Sequence, residues 1–371
     1  MPTRVAFDAR KLTDYGIGTY VSHLVHGLAR RDDLELTLLV RSGHEERMRA
    51  LAPGARLVTV SARGYSLAEQ VRVPAALWRE RVDLVHFPHY AVPLLLPLPT
   101  VVTVHDVIQL FYPPRERRQL ALAYLRITMR AALRRSRRVI TGSRASRRDL
   151  LALFGAEPDR LVVVPNGVDE RLAVRPPAEE IDAVRSVHQL RPPLLLVVAN
   201  DKPHKNLDLA LRAFHLARRR LRLPGQLVFV GGPGPDHPLN RRAEQLGLED
   251  RVRCLGRVPF DHLHCLYHLS AVLLHVALYE GFGLPVLEAM RAGLPVITSN
   301  VGSMREVGEG CARLVNPLDV EEIAAALGKV LVDDPLRRRM IEAGRRRAES
   351  LTWARAVEGT VAVYQQVAGA A

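Results

Sequence analysis

Short apolar runs, each followed by a stretch of helical periodicity, recur along the whole chain. Residues 4–8, 34–40, 57–60, 83–87, 100–104 and 138–143 read as strands, as do runs opening at Leu161, Leu194, Gln226, Val252, Ala271 and Pro295. Helical patterns fill the gaps, for example at 67–80, 321–332 and 334–350. Strands that alternate with helices pair in parallel and take helices on both faces, which gives a doubly wound parallel sheet. The fold class is therefore α/β. Ligands of such sheets gather beyond the C-terminal ends of the strands, so the residues just after each strand are the ones to read for chemistry. At 371 residues the chain is long enough for two domains. It divides into two comparable α/β halves, 1–169 and 170–353.

The most informative junction spans 279–290, Tyr-Glu-Gly-Phe-Gly-Leu-Pro-Val-Leu-Glu-Ala-Met, after the buried-strand run 271–277. Gly281 and Gly283 permit backbone conformations closed to other residues and let a ligand approach the main chain. Pro285 suits the first helical turn, where its missing N–H costs nothing. The segment offers amides at a helix N-terminus, which suit an anion such as a diphosphate. It also offers two carboxylates, Glu280 and Glu288, which suit the vicinal hydroxyls of a sugar or a ribose. Taken singly, each glutamate is equally an ordinary solvated residue.

Seven residues separate Glu280 from Glu288, and the pattern continues through Gly293-Leu-Pro-Val-Ile-Thr-Ser to Pro317-Leu-Asp. This resembles the E-x7-E signature of the retaining glycosyltransferases of group 1, family 4. The resemblance implies the GT-B fold: two Rossmann-like domains with a cleft between them. The acceptor belongs to 1–169 and the nucleotide-sugar donor to 170–353, and the last helix, 354–371, crosses back to the first domain. It also implies roles. Glu288 holds the nucleotide ribose and Glu280 contacts the donor sugar. The loop of Gly281, Phe282, Gly283 and Leu284 reaches the sugar and phosphates through its amides.

Three further junctions extend the likeness. In Asp14-Tyr-Gly-Ile-Gly-Thr-Tyr, a glycine-bearing turn after the first strand is either a phosphate cradle or a plain tight turn. The family has a glycine loop against the donor diphosphate in this place, which falls on Gly16 and Gly18. In Asn200-Asp-Lys-Pro-His-Lys-Asn the family's phosphate-binding lysine falls on Lys205. Asn200 stands where many members have an arginine, so either Lys202 supplies the missing charge or the site is weaker. His105 follows the strand at 100–104 and resembles the family's sugar-contacting histidine. Asp106 either orients that imidazole or caps the next segment, and Ser146 is read as a helix cap. Pro165-Asn-Gly-Val-Asp resembles the inter-domain hinge, and 171–193 reads as a polar link.

Composition bounds the setting. Cys254, Cys265 and Cys311 are scattered and odd in number, which points to a reducing compartment rather than a disulfide framework. No apolar run approaches the roughly 20 residues of a membrane span, and the N-terminus does not read as a signal peptide. The expected location is the cytoplasm. The net charge of +14 is carried by arginine. It admits nucleic acid, an anionic membrane surface or an arginine-rich genome, but no nucleic-acid recognition motif is present. Residues 113–138 set Leu122, Leu125, Met129 and Leu133 at helical spacing among arginines. That is either a core helix with a basic outer face or a helix that lies on the inner face of a membrane. His262, His264 and His268 cluster without a matching carboxylate motif.

These features predict a retaining, metal-independent hexosyltransferase with His105, Glu280 and Lys205 at its reacting centre. Gly-Ile-Gly-Thr-Tyr, Val-His-Asp and Lys-Pro-His-Lys-Asn look like the motifs of family members that build O-antigen and exopolysaccharide mannose units, and that resemblance implies GDP-mannose as the donor. The expected acceptor is a glycan or lipid-linked glycan hydroxyl in cell-surface polysaccharide synthesis. No Asp-x-Asp follows a strand, so neither a metal nor another cofactor is expected. No carboxylate is placed as a sugar nucleophile, as double displacement would need, and the resemblance implies reaction on the donor's front face. Competing readings are a UDP-sugar-dependent transferase, a sugar-nucleotide epimerase, and a basic polyanion- or nucleic-acid-binding protein.

Overall fold

The computed structural model describes residues 2–62, 66–93, 95–113 and 118–369. The chain forms two compact units, Met1–Gly167 with Trp353–Ala371, and Val168–Thr352. The sequence reading put the joints after Asp169 and before Ala354. Among the described residues the first unit holds a seven-stranded sheet in the order β3-β2-β1-β4-β5-β6-β7. Its strands are β1 Thr3–Asp8, β2 Leu34–Val40, β3 Arg56–Thr59, β4 Leu84–Phe87, β5 Thr100–Thr103, β6 Arg138–Thr141 and β7 Leu161–Val163. The second unit holds six strands in the order β10-β9-β8-β11-β12-β13. These are β8 Leu194–Ala199, β9 Gln226–Gly231, β10 Val252–Cys254, β11 Ser270–His275, β12 Val296–Ser299 and β13 Arg313–Val315. Every named pairing is parallel.

Near-continuous Val, Leu and Ile runs suit strands covered by helices on both faces. In the first unit Val5, Phe7, Leu38, Val85, Phe87, Val101 and Ile140 are fully buried. The final helix, Trp353–Ala368, closes this unit with a polar contact in its core. The His86 imidazole bonds Tyr364 Oη at 2.6 Å and Thr103 Oγ1 at 2.7 Å, and Tyr20 Oη meets the same Thr103 oxygen at 3.0 Å. Buried polar atoms need such partners. Here they tie β4 and β5 to a helix from the far end of the chain.

Three local expectations are corrected, and one pair of alternatives is decided. Residues 171–193 are not an open link: Ala178–Val187 is a helix whose Ile181 and Val184 enter the second unit's core. Ser143, not Ser146, caps helix Arg144–Phe154, since its hydroxyl accepts from the Ser146 N–H at 3.0 Å. Gly16 and Gly18 are not in a loop but in the first turn of helix Tyr15–Leu28. The apolar face predicted at 113–138 turns inward. Leu125, Met129 and Leu133 of helix Arg118–Arg135 are buried, while Leu120, Tyr124 and Ile127 are the exposed apolar residues. Arg115 and Arg117, part of the same predicted basic segment, lie outside the described residues.

Candidate active site

Strand β11 ends at His275, which is 2 % exposed. Its Nε2–H donates to Glu280 Oε1 at 3.1 Å. Lys205 pairs with the same carboxylate oxygen from the short turn Pro203–Lys205 after β8. Other contacts hold the two chain segments against each other. Leu278 N–H donates to the His204 carbonyl at 2.7 Å. Asn206 Nδ2 donates to the carbonyls of Val276 and Pro317 at 3.1 and 2.7 Å. Ser303 Oγ donates to the Glu280 carbonyl at 2.7 Å, which fixes the backbone where the carboxylate leaves it.

The Lys205 and Glu280 side chains are 12 % and 14 % exposed. In a pair so enclosed each charge compensates the other's loss of water. Removing one partner of a buried pair costs about 3–5 kcal/mol. Burial alone would raise the Glu280 carboxyl, but Lys205 and His275 together outweigh it and hold the group at about 2. Glu280 is thus ionised at neutral pH, with a cation and an imidazole N–H on one oxygen.

The chain then turns into helix Leu284–Arg291. Gly283 caps it at φ +94°, in the left-handed region that a side chain rarely adopts. Pro285 sits in the first turn as expected. Within the first turn the Val286 and Leu287 N–H groups donate to the Gly283 carbonyl at 3.0 and 3.4 Å. The Phe282 ring belongs to the core of the unit, so this residue can offer a ligand only its backbone. Glu288 is half-buried and accepts from Tyr267 Oη at 2.6 Å. Burial raises its carboxyl, the Tyr267 bond opposes that, and the charge of Asp169 adds to it. Asn200 stands at the end of β8 with its side-chain oxygen buried and without a hydrogen-bond partner. Lys202 is exposed and has no ion-pair partner among the described residues. The second unit therefore brings Lys205, Glu280 and the 281–284 loop together, with Lys202 standing out in solvent.

Gly16, Gly18 and His105 belong to the first unit. A Cβ at Gly18 would stand 2.3 Å from the Leu12 carbonyl oxygen, so this glycine is a packing requirement of the turn. Gly16 has open space around it. His105 Nε2–H donates to the Pro88 carbonyl at 3.1 Å, and the Tyr20 ring meets the imidazole edge-on at 4.8 Å. That bond sets the tautomer and leaves Nδ1 as the acceptor nitrogen. Burial, opposed by the Pro88 bond and aided by Lys11, lowers the imidazole to about 4. His105 is therefore neutral at pH 7. Asp106 Oδ1 accepts from Ile108 N–H at 3.0 Å and so caps the next segment. The same unit has a cavity of about 250 Å³ with Tyr90, Gln109, Leu122, Tyr124 and Leu125 in its lining.

The family model described as "Glycosyl transferases group 1" matches residues 179–347, and "Glycosyltransferase Family 4" matches 15–172. The chain belongs to the group 1, family 4 glycosyltransferases. It is an enzyme of the hexosyl-transferring class. It is 29 % identical to the O-antigen chain mannosyltransferase B of Escherichia coli, over 81 % of this chain and 79 % of that one. It is 36 % identical to the MMP alpha-(1->4)-mannosyltransferase of Mycolicibacterium hassiacum, over 62 % of this chain and 54 % of the other. The chain thus spans about half of the mycobacterial relative. Sucrose-phosphate synthase from Thermosynechococcus elongatus superposes with a TM-score of 0.81 over the full length of both chains, at 21 % identity. The two parallel-sheet units are the GT-B fold.

Sequence reasoning about this glycosyltransferase missed His275, Tyr267 and Ser303, the direct partners of the two glutamates. A histidine that ends an otherwise apolar strand run, Ser-Ala-Val-Leu-Leu-His, was the one available signal. The predicted histidine cluster does other work. His264 and His268 donate to the carbonyls of Val174 and Leu172, and His262 bonds His188 at 3.0 Å. Among the described residues no group of His, Cys, Asp and Glu is arranged to hold a metal ion. No described helix is long and apolar enough to cross a membrane.

Proposed function

We propose that this glycosyltransferase moves mannose from GDP-mannose to a hydroxyl of a glycan or lipid-linked glycan, with retention and without a metal, in the making of a cell-surface polysaccharide. The observation that carries the reading is the Lys205–Glu280–His275 cluster beside the first turn of helix Leu284–Arg291. The similarity to an O-antigen mannosyltransferase over four fifths of the chain supports the choice of sugar.

In this reading Lys205 turns its ammonium from Glu280 to the diphosphate, where negative charge develops as the glycosidic bond breaks. Glu280 stays in place on His275 and accepts from hydroxyls of the donor sugar. Glu288 accepts from the ribose. The helix N-terminus and the amides of the 281–284 loop add favourable potential for the phosphates. The acceptor oxygen bonds to the anomeric carbon on the face that the diphosphate leaves. Its proton passes to the departing phosphate oxygen, and the products are a glycoside and GDP. His105, neutral and with Nδ1 as acceptor, suits a sugar hydroxyl rather than proton donation. The cavity lined by Tyr90 and Tyr124 suits the acceptor, since aromatic rings present an apolar face and a polar tip. Exposed Leu120, Ile127, Arg126, Arg130 and Arg134 on helix Arg118–Arg135 suit an anionic bilayer carrying a lipid-linked acceptor.

The test is to incubate the protein with GDP-mannose or UDP-glucose and a mannose-terminated acceptor, with and without EDTA. The expected result is release of GDP, no loss on chelation, and an axial new bond by NMR. Turnover of UDP-glucose alone would replace the donor, and a Mg2+ requirement would remove the metal-free mechanism.

A further inference from the structure

We propose that Tyr267 is a positioning residue for nucleotide recognition, whose hydroxyl holds Oε2 of Glu288 and leaves Oε1 to the ribose hydroxyls. The inference rests on the donor-site reading of Glu288 above. Tyr267 belongs to helix Phe260–Leu269 and is 1 % exposed, so it acts through Glu288 and not on a ligand. Its ring packs in the core with Leu266, Leu287 and Ala289. A buried phenol needs a partner for its O–H, and the partner is Glu288 Oε2 at 2.6 Å. Burial pushes the phenol well above its ordinary range, so Tyr267 is the donor and the carboxylate the acceptor.

Without that bond the Glu288 carboxyl would be poorly placed and poorly charged. Two titratable groups act on it: Tyr267 from helix Phe260–Leu269, and Asp169, whose negative charge disfavours a second one. Asp169 is itself paired with Arg171 at 2.7 Å, which leaves the Tyr267 hydroxyl as the group that favours the ionised form of Glu288 against its burial. A protonated Glu288 would lose acceptor capacity where a cis-diol has only O–H groups to give. One buried tyrosine on a separate helix thereby sets both the direction and the charge of the ribose contact.

The test is calorimetric titration of GDP and UDP between about pH 5 and 8 into the wild type, Tyr267→Phe, Glu288→Asp, Glu288→Gln and the double variant Tyr267→Phe/Glu288→Gln. The 2′,3′-dideoxy analogue of the better binder is titrated in parallel. Tyr267→Phe keeps the ring and is expected to weaken binding about tenfold at pH 7. The loss should grow toward low pH, because removing the bond raises the carboxyl and protonation sets in earlier. The dideoxy analogue should bind the wild type and Tyr267→Phe alike. Adding Tyr267→Phe to Glu288→Gln should change nothing more. Glu288→Asp, which draws the carboxylate away without touching the core, should reproduce the pH shift. Wild-type affinity in Tyr267→Phe, or an equal loss with the dideoxy analogue, overturns the proposal. If Glu288→Gln binds like the wild type, or neither diphosphate binds at all, the donor reading fails and takes the proposal with it.

Discussion

The two sheets differ in the side chains set near the ends of their strands. In the second unit a cation and a carboxylate, Lys205 and Glu280, stand together beside a helix N-terminus. In the first unit two histidines, His86 within β4 and His105 just after β5, are kept neutral: burial takes them to about 3 and about 4. Its buried charges, Asp8, Arg10 and Glu69, pair with one another at 2.7 and 2.6 Å. Both units are doubly wound parallel sheets, so the architecture does not account for the difference. The side chains at the strand ends do. A diphosphate leaving group calls for fixed charge, whereas a hydroxyl calls for a neutral hydrogen-bond acceptor. On the proposed function these are the two substrates.

The comparison breaks most visibly at Lys205. Replacing it with alanine should lower kcat by about 100–1000-fold, and Lys205→Arg should recover part of that. Lys202→Ala should cost far less, since its side chain stands in solvent. Equal losses at the two lysines would mean that the buried ion pair is a fold element and not the charge centre of the site.

Acid should separate the two environments next. The unfolded chain protonates histidine near 6.5, while His86 and His105 stay neutral until about 3 and 4. The unfolded state therefore binds more protons in between, and stability falls as pH falls. Each histidine accounts for on the order of 2 kcal/mol between pH 6.5 and about pH 5. Glu280 is depressed from 4.5 to about 2, so the stability it adds is whole above 4.5 and is lost only as pH falls toward 2. Denaturant titrations at pH 7 and about pH 5 should show the loss reduced in His105→Asn and unchanged in Glu280→Gln. The reverse pattern would undo the contrast.

Glu288→Ala sharpens the description of the second unit. It should weaken nucleoside diphosphate binding by about 1–3 kcal/mol, the worth of hydrogen bonds to a charged group. Unchanged affinity by calorimetry would detach Glu288 from the ribose.

The smallest effect concerns the outer faces. Reversing Arg126, Arg130 and Arg134 should release the protein from anionic liposomes, by about 1 kcal/mol per charge at low salt. Reversing Arg337, Arg338 and Arg346 in the second unit should not. Equal release in a sedimentation assay would assign the basic surplus to general composition.

Much of this was legible before any coordinates. The alternation of apolar runs and helical periods determined two parallel sheets, because side-chain period is a local property of the backbone. The 279–290 segment was legible for the same reason. A left-handed residue at Gly283, a proline in the first turn and two flanking carboxylates are demands that contiguous residues must meet themselves. The glycines of 14–20 left two readings open, because Gly-x-Gly does not state why a glycine is there. Whether the cause is a ligand or the Leu12 carbonyl depends on what lies opposite.

What the tertiary structure alone decided is which groups meet. Glu280 acquires its charge state from Lys205 and His275, Glu288 its hydrogen-bond partner from Tyr267, and His105 its tautomer from Pro88. The inward face of helix Arg118–Arg135 was decided in the same way, since an amphipathic period does not say whether its apolar side meets a sheet or a bilayer. The sequence by itself determined the elements, the turns and the chemical types at the strand ends. Hydrogen bonds and ion pairs act over a few ångströms between residues that stand far apart along the chain, so partnership and protonation wait for the fold.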